Sequence, residues 1–536
     1  MPQPEPDSDP TRELARASGG EPSPELCRAL GADLDDAGYR TDRLRTVWGT
    51  DVDGLLGRGP ALPARRRLAA DPGPLASIAL LFGLGDEIGA DAASAAFPRT
   101  GIDGLVALGL AARDGDLVRA RALVRPQAFA DATGDDEWWV ASDLDEAAIG
   151  GPLPEDHVLG VGGASLTLAG IQLPGPVDRA LDVGTGCGIQ ALRARRAAAS
   201  VVATDVSERA LRYTRLNALL NGVTGIQTRS GDLFAPVAGE RFDRVVSNPP
   251  FVITPRAAGM PAYEYRDGGR VGDDLVAEFI TGVPAVLAPG GTAQLLANWE
   301  SRDGRTGLER VRAWVEAAPE PLDAWVIERE LLDPVAYAEL WIRDAGTLPG
   351  TAAHDALLGA WLDDFAARGV QAIGFGYVLL RRPFGHGPTL ARYERATQPV
   401  AESGLGLHLG QALVRHDRLA LLDDAELTAS VLTVAADVTE ARHHLPGAEA
   451  PSVIELRQGG GLGRTIEVDP ALAALVGACD GDLAVGPLIG AIAQLLEVDE
   501  SALCADLLPR VRELTFCGFL DFAADSPTDD GVAHPG

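Results

Sequence analysis

Apolar positions along this chain follow two different rhythms. Leu26, Leu30 and Leu34 recur at i, i+4 and i+8, and the pattern from Glu25 to Ala70 predicts helix. Asp71-Pro72-Gly73-Pro74 breaks it. Leu75 to Gly83, Ala90 to Ala96 and Gly101 to Ala111 predict three short helices, and Leu117 to Val124 alternates apolar residues with Arg as a hairpin strand does. Trp138-Trp139-Val140 predicts a strand packed on this group. Three helices and a hairpin make a winged-helix-like pattern.

Further on, strands and helices alternate. Strands are expected at Arg179–Val183, Val201–Asp205, Phe242–Ser247, Thr292–Asn298, Ala324–Arg329 and Val370–Arg381. Helices are expected at Ile189–Ala199, Asp273–Val286, Gly307–Ala317 and within 333–368. Such alternation is the mark of a doubly wound α/β sheet. Beyond His386, Leu419–Leu422 and Ser452–Arg457 read as strands and Gly459-Gly460-Gly461 as a turn. Helices Pro470–Cys479, Val485–Leu496 and Glu500–Cys517 then precede Gly518-Phe519-Leu520, a second winged-helix-like pattern with no evident repeat of the first. The expected organisation is a disordered tail over 1–23, a helical and winged-helix-like module over 24–150, an α/β domain over 151–385, a winged-helix-like module over 386–522 and a tail over 523–536.

The chemistry concentrates between Arg179 and Phe251. Leu181 and Val183 call for burial, and the strand then enters Gly184-Thr185-Gly186-Cys187-Gly188. A dinucleotide loop carries G-x-G-x-x-G, its third glycine letting the helix pack on the strand. Here the spacing is G-x-G-x-G, Ile189 stands where that third glycine belongs, and Asp182 lies inside the strand. The second strand ends on Asp205, followed by Val206; an acid about 20 residues past such a loop accepts both ribose hydroxyls. Gly231-Asp232-Leu233 places a third carboxylate where an adenine amino group could donate to it.

The fourth signal is Asn248-Pro249-Pro250-Phe251 at the end of Phe242–Ser247. Two prolines cannot continue a central strand, so the chain breaks at the carboxyl edge, where such sheets bind ligands. Amide and aryl-amine nitrogens are poor nucleophiles because their lone pair is delocalised. Hydrogen-bond acceptors on their N–H groups localise that pair. The Asn248 side-chain oxygen and the Pro249 carbonyl supply two acceptors, Pro250 has no N–H to compete, and Phe251 offers a flat face to a planar group.

Asp182 to Phe251 resembles class I S-adenosylmethionine-dependent methyltransferases of the methyltransferase small-domain group. That group includes release-factor glutamine methyltransferases with Asn-Pro-Pro-Tyr and ribosomal RNA guanine methyltransferases with Asn-Pro-Pro-Phe; nucleic-acid adenine N6 methyltransferases share the motif logic. The resemblance implies a Rossmann-like seven-stranded core ending in an antiparallel hairpin, with S-adenosyl-L-methionine as cofactor. On this basis Asp182, Gly184, Thr185, Gly186 and Gly188 hold the methionine end, Asp205 and Val206 the ribose, and Asp232 and Leu233 the adenine. Asn248, Pro249, Pro250 and Phe251 form the acceptor site, with Asn248 touching the cofactor as well. Residues 158–169 resemble the lead-in that lies over the cofactor. Asp267-Gly268-Gly269-Arg270-Val271-Gly272 resembles the glutamine-modifying branch, and Val252 stands where the guanine branch carries His. Phe251 departs from the Tyr of the glutamine branch. Tyr263, Glu264, Tyr265 and Arg266 fall in the loop that borders the acceptor pocket in such enzymes.

Charge narrows the acceptor. Residues 1–176 hold 28 carboxylates and 15 Arg, 177–300 hold 13 and 13, 301–400 hold 14 and 11, and 401–536 hold 22 and 7. A protein that grips phosphates needs a basic face. The candidate patch, Arg193, Arg195, Arg196, Arg209, Arg212 and Arg215, lies at helical spacing and reads better as a solvated helix face. A protein or small-molecule acceptor is therefore favoured, with nucleic acid and a homodimer through the winged-helix-like modules left open. All 46 basic residues are Arg, which excludes lysine catalysis. The five cysteines show no C-x-x-C and His443-His444 has no partner at ligand spacing, so no metal site is expected. No 18-residue apolar run and no basic-then-apolar leader appear, which predicts a cytoplasmic protein without membrane contact. The expected function is N-methylation of a planar amide or amine, foremost in a glutamine-like protein substrate. The alternatives are a nucleic-acid base methyltransferase and a non-catalytic cofactor-binding scaffold.

Overall fold

Eight strands form the central sheet: β1 (Val177–Val183), β2 (Ala198–Asp205), β3 (Ile226–Ser230), β4 (Phe242–Ser247), β5 (Leu287–Arg302), β6 (Asp323–Leu332), β7 (Val370–Arg381) and β8 (Ala391–Arg395). The computed structural model describes residues 20–51, 61–131, 134–149, 153–154, 156–256, 268–344, 346–385, 387–400 and 404–523. Tyr263, Glu264, Tyr265 and Arg266, most of the expected N-terminal tail and nearly all of the C-terminal one lie outside these residues.

The strand order is β8-β6-β7-β5-β4-β1-β2-β3. β1 to β5 run parallel, and β7 is antiparallel to both β5 and β6. The expected seven-stranded core with its antiparallel hairpin is thus present, extended by β8 lying parallel to β6. Residues 391–395 read in sequence as part of the C-terminal module; the sheet takes them instead. The central strands are apolar on both faces (β2 buries Val201 and Val202 side by side) because helices cover each side.

The chain divides at Arg395/Ala396 into two compact units. The first holds the sheet and everything before it. Its N-terminal part has helices Pro24–Asp36, Thr41–Trp48, Leu62–Ala70, Pro74–Ile78 with a π-helical continuation to Gly83, Ala90–Ala96 and Gly101–Ala107. Strands Glu87–Gly89, Leu117–Ala120 and Ala111–Asp114 lie side by side in that order. The stretch Leu117–Val124, expected as one strand, is split. Leu117–Ala120 pairs with Ala111–Asp114, and Leu123 begins a long ribbon, Leu123–Asp131 with Gly134–Ser142. Leu30, Leu34, Tyr39, Trp48, Phe82 and Trp139 share one hydrophobic cluster with Cys187, Ile189, Leu216 and Leu220 of the α/β core.

The expected basic patch finds its partners here. α1 (Ile189–Arg195) and α2 (Glu208–Leu220) follow β1 and β2. Arg196 pairs with Asp136 at 2.5 Å, and Arg215 with Glu21 at 2.8 Å. Arg209 grips Asp143 through two nitrogens. Arg212 donates to the carbonyls of Gly20 and Leu108, and Arg193 lies over the Phe129 ring. Arg195 caps the carbonyls of Ala198 and Thr224. Five of the six are neither a solvated face nor a phosphate grip; they hold the N-terminal part to the core. Gly20 and Glu21, expected in a tail, are among the anchors.

In the second unit Leu405–Leu421 is a single 17-residue helix that buries Leu405, Leu409, Ala412, Leu413 and Leu419. Leu419–Leu422, expected as a strand, is its last turn. A four-residue apolar run has no period of its own, so tertiary context decides. Helix Pro470–Ala478, strand Asp480–Ala484, helices Val485–Leu496 and Glu500–Cys517 and strand Leu520–Phe522 follow. That order of elements repeats the N-terminal one from Pro74 to Asp114, a likeness with no counterpart in sequence. No helix among the described residues is long and apolar enough to cross a membrane.

Candidate functional site

Register brings the four sequence signals to one edge. Val183 pairs with Ser247 on β4 and with Thr204 on β2. Asp205 pairs with Ser230 on β3. Gly184, Asp205, Gly231 and Asn248 are therefore neighbours at the carboxyl ends of adjacent parallel strands, where an open α/β sheet offers its crevice. The Ser247 hydroxyl donates to the Val183 carbonyl at 2.8 Å, fastening the two central strands just before they diverge.

The glycine loop is held from beneath and open above. The N–H groups of Gly184 and Thr185 both donate to the Thr204 carbonyl at 2.9 Å. Gly184, Gly186 and Gly188 all have positive φ, at 71°, 54° and 87°, which only glycine adopts without strain. Side chains built at Gly184 or Gly186 would meet nothing within 4 Å. One at Gly188 would lie 2.9–3.0 Å from Thr214 on α2. Gly188 thus does the close-packing work that the dinucleotide pattern gives to a later glycine, while Gly184 and Gly186 leave an open cradle.

The three carboxylates differ in kind. Asp182 is fully buried, and its Oδ2 accepts from the Thr185 hydroxyl at 2.6 Å. Burial lifts its carboxyl to about 7, with the Thr185 bond opposing and the Asp205 charge adding. It supports the loop from below through Thr185, and no part of it is exposed. Asp205 accepts from the N–H of Gly186 and of Ser207, each at 2.9 Å. Burial raises its carboxyl too, against these N–H groups. Val206 beside it is 60% exposed, which suits a residue that covers a ligand rather than a core. Asp232 is exposed, and Arg270 pairs with it at 2.8 Å while also reaching Glu278. Its carboxylate is thus already engaged by an arginine. Leu233 has a positive φ of 44°, a strained position next to it.

At the fourth signal Asn248 Oδ1 is buried without a hydrogen-bond partner. Unmatched buried acceptors are uncommon and call for a donor. Pro249 is buried, and Pro250 and Phe251 half-buried. Phe251 packs on a cluster of Val252, Ile253, Tyr337, Trp361 and Phe365, so one side of it belongs to the core. A side chain at Gly268 would approach the Pro250 carbonyl within 3.3 Å, which places the Gly268-Gly269 pair against the motif.

Sequence reasoning missed several residues that shape this edge. Tyr337 accepts from the Ile253 N–H at 3.0 Å and from Asn298 Nδ2 at 2.8 Å, fixing the segment after Phe251. Its only sequence signal was a place in a helical stretch. Cys187, inside the loop, is buried, and burial pushes its thiol up to about 11, so it is no nucleophile. Among the described residues, no group of three or more His, Cys, Asp or Glu could hold a metal ion. The open cradle, the Asp205 carboxylate at its edge and the unmatched Asn248 oxygen fit an adenosyl cofactor and a donor-bearing acceptor group.

Residues 163–317 match the methyltransferase small domain. Residues 36–121 and 413–521 match two domains of unknown function, DUF7059 and DUF7782. The release factor glutamine methyltransferase of Xylella fastidiosa strain 9a5c is 35% identical over 134 residues, 23% of this chain and 47% of that protein. The ribosomal protein uL3 glutamine methyltransferase of Bradyrhizobium diazoefficiens is 34% identical over 151 residues, 26% and 46% of the two chains. The chain thus spans about half the length of these curated relatives. Among solved structures, a ribosomal protein L11 methylase from Lactobacillus delbrueckii subsp. bulgaricus has a TM-score of 0.22 and 22% identity, covering 30% of this chain and 69% of that one. The [4+2]-cyclase SpnF has a TM-score of 0.27 and 20% identity, covering 41% and 80%.

Proposed function

We propose that this chain, whose residues 163–317 belong to the methyltransferase small domain of class I S-adenosylmethionine-dependent methyltransferases, methylates the amide nitrogen of a glutamine-like side chain in a protein. The observation that carries this reading is Asn248 Oδ1, a buried acceptor with no partner, one residue past the Val183–Ser247 pairing that joins it to the glycine loop. The names of the curated relatives support a protein substrate, and the carboxylate excess of the flanking regions argues against a phosphate backbone.

S-adenosylmethionine, when bound, supplies a methyl group on a cationic sulfur. The protein's part is positioning. Gly184 and Gly186 let the methionine end approach the backbone, with Asp182 bracing Thr185 beneath. Asp205 and Val206 take the ribose, and the adenine edge lies toward Asp232 and Leu233. Asn248 Oδ1 and the Pro249 carbonyl accept from the two N–H groups of the incoming amide. That turns its nitrogen lone pair out of conjugation and aims it along the displacement line. Pro250 brings no competing N–H, and the free side of Phe251 bounds the amide plane. No strong base is required, because the methylated nitrogen sheds its proton afterwards. Alignment of this kind lowers a barrier by roughly 7–11 kcal/mol.

The test is methyl transfer from labelled S-adenosylmethionine into a lysate of cells lacking this protein. Label removed by protease but not nuclease is the expected result. Nuclease-sensitive label would instead mean a base methyltransferase. Asn248→Ala is expected to keep cofactor affinity within about twofold while turnover drops about 100-fold or more. Unchanged turnover would place the acceptor site elsewhere.

A further inference from the structure

The cofactor loop is tied to the N-terminal part of the chain through one side chain, Asn217. This residue is on α2 and fully buried. Its Oδ1 accepts from the Ala141 N–H at 2.7 Å, and its Nδ2 donates to the Ala141 carbonyl at 2.9 Å. The second hydrogen on the same nitrogen goes to the carbonyl of Cys187, inside the glycine loop, at 2.8 Å. One turn later Asn221 repeats the first half of this pattern. It accepts from the Trp139 N–H at 2.9 Å and donates to the Trp139 carbonyl at 2.8 Å. Asn221 makes no bond to the loop; its other donation is to the Asn217 carbonyl within its own helix.

The geometry has a simple origin. Among the described residues, strand Gly134–Ser142 pairs with one neighbour, Leu123–Asp131. Trp139 and Ala141, two apart, turn their N–H and C=O to the open edge. Residues four apart on a helix share a face. Two asparagine amides, each a donor and an acceptor in one plane, thus stand in for a missing strand and cap the edge. Trp139 is fixed from its other end as well, its indole donating to the Tyr39 carbonyl at 2.7 Å. The loop carbonyl one residue earlier, Gly186, accepts from the Thr214 hydroxyl at 3.1 Å, so α2 holds two consecutive loop carbonyls.

We propose that Asn217 is a positioning residue for the cofactor: it sets the loop conformation from strand Gly134–Ser142, making the N-terminal part of the chain a component of the cofactor site. This rests on the reading of the glycine loop as that site. Loss of the Asn217 amide leaves the Cys187 carbonyl buried without this donor and frees the loop to shift, although nothing that touches a ligand has changed. Asn221 is the built-in control, because it makes the same strand contacts without the loop contact.

The experiment compares the full-length wild type with Asn217→Leu and Asn221→Leu. Titration calorimetry with S-adenosylhomocysteine gives affinity, thermal melts give stability, and steady-state rates give the KM for S-adenosylmethionine and kcat. Both variants are expected to melt at lower temperature. Asn217→Leu alone is expected to weaken S-adenosylhomocysteine about tenfold or more and to raise the KM, with kcat at saturation within about twofold. Equal affinity of Asn217→Leu and wild type overturns the proposal, and so does an equal loss in Asn221→Leu, which would reduce Asn217 to a stability role. If Asn217→Leu does not fold, Asn217→Ser replaces it with the same expectation. A wild type that binds no S-adenosylhomocysteine refutes the site assignment itself rather than the tie.

Discussion

The two acidic flanks of this chain began alike and end differently. Each reads in sequence as a winged-helix-like module with an excess of carboxylates, and each has helix, strand, helix, helix and strand in that order. In the N-terminal flank key carboxylates face arginines of the α/β core: Asp143 meets Arg209, Asp136 meets Arg196 and Glu21 meets Arg215. The C-terminal unit is compact by itself, and within it Asp424 pairs with Arg512 and Glu455 with Arg457. Net charge therefore says little about what a module does. An acid excess is a binding property where basic partners sit opposite it, and otherwise a solvated surface.

The sharpest way to break this comparison is Asp143→Ala. Asp143 takes both Arg209 contacts, the Tyr213 hydroxyl at 2.7 Å and the Val158 N–H at 2.9 Å. Although burial opposes ionisation, these partners together hold its carboxyl below the usual range. Removing it strands a partly buried guanidinium and a buried hydroxyl. The expected loss is about 3–5 kcal/mol of stability in the first unit. All eight Trp lie before residue 396, so Trp fluorescence during urea unfolding reports on that unit alone. A loss below about 1 kcal/mol would make this pair no different from an exposed one.

Second in size is a pH effect at Asp182. Its folded-state carboxyl stands near 7, above the ordinary 3.8, so ionising it is opposed by the fold. Stability that it leaves intact below about pH 4 is lost progressively as pH rises through 7. Asp182→Asn escapes that loss. Its stability relative to wild type is expected to rise between pH 5 and pH 8 by about 2–3 kcal/mol, the part of the shift that falls in this window. Trp-monitored unfolding at the two pH values decides it. A flat difference would mean that Asp182 is already charged at pH 5.

The core was legible because its chemistry is local. Gly184 to Gly188 and Asn248 to Phe251 are contiguous, and strands β1, β2, β4 and β7 carry apolar runs that announce burial. What escaped was either half-buried or non-local. β3 reads Ile-Gln-Thr-Arg-Ser and β8 reads Ala-Arg-Tyr-Glu-Arg; both are sheet edges, where one side faces solvent and polar residues are tolerated. Asn217 and Asn221 looked like ordinary helix polarity, because the strand they cap lies about 80 residues earlier in the chain. The arginines of α1 and α2 were legible as a pattern but not as contacts, since nothing in a helical period says which surface it will meet.

The smallest expected effect sharpens the comparison from the other side. Asp424 and Arg512 in the second unit pair at 2.9 Å, yet the Asp424 side chain is 74% exposed. Arg512 also donates to the carbonyls of Leu419 and Leu422, so it keeps two partners when the carboxylate goes. Asp424→Asn is therefore expected to move the calorimetric melting of the chain by less than the equivalent of about 0.5 kcal/mol, and added salt is expected to shrink even that. Asp423 caps the helix Asp424–Ala429 and forms the capping box with Glu426, so neutralising Asp424 leaves the start of that helix intact. A loss of several kcal/mol here would mean that the C-terminal carboxylates are structural after all. The contrast between the two flanks would then lie in what their acids face and not in how much they hold.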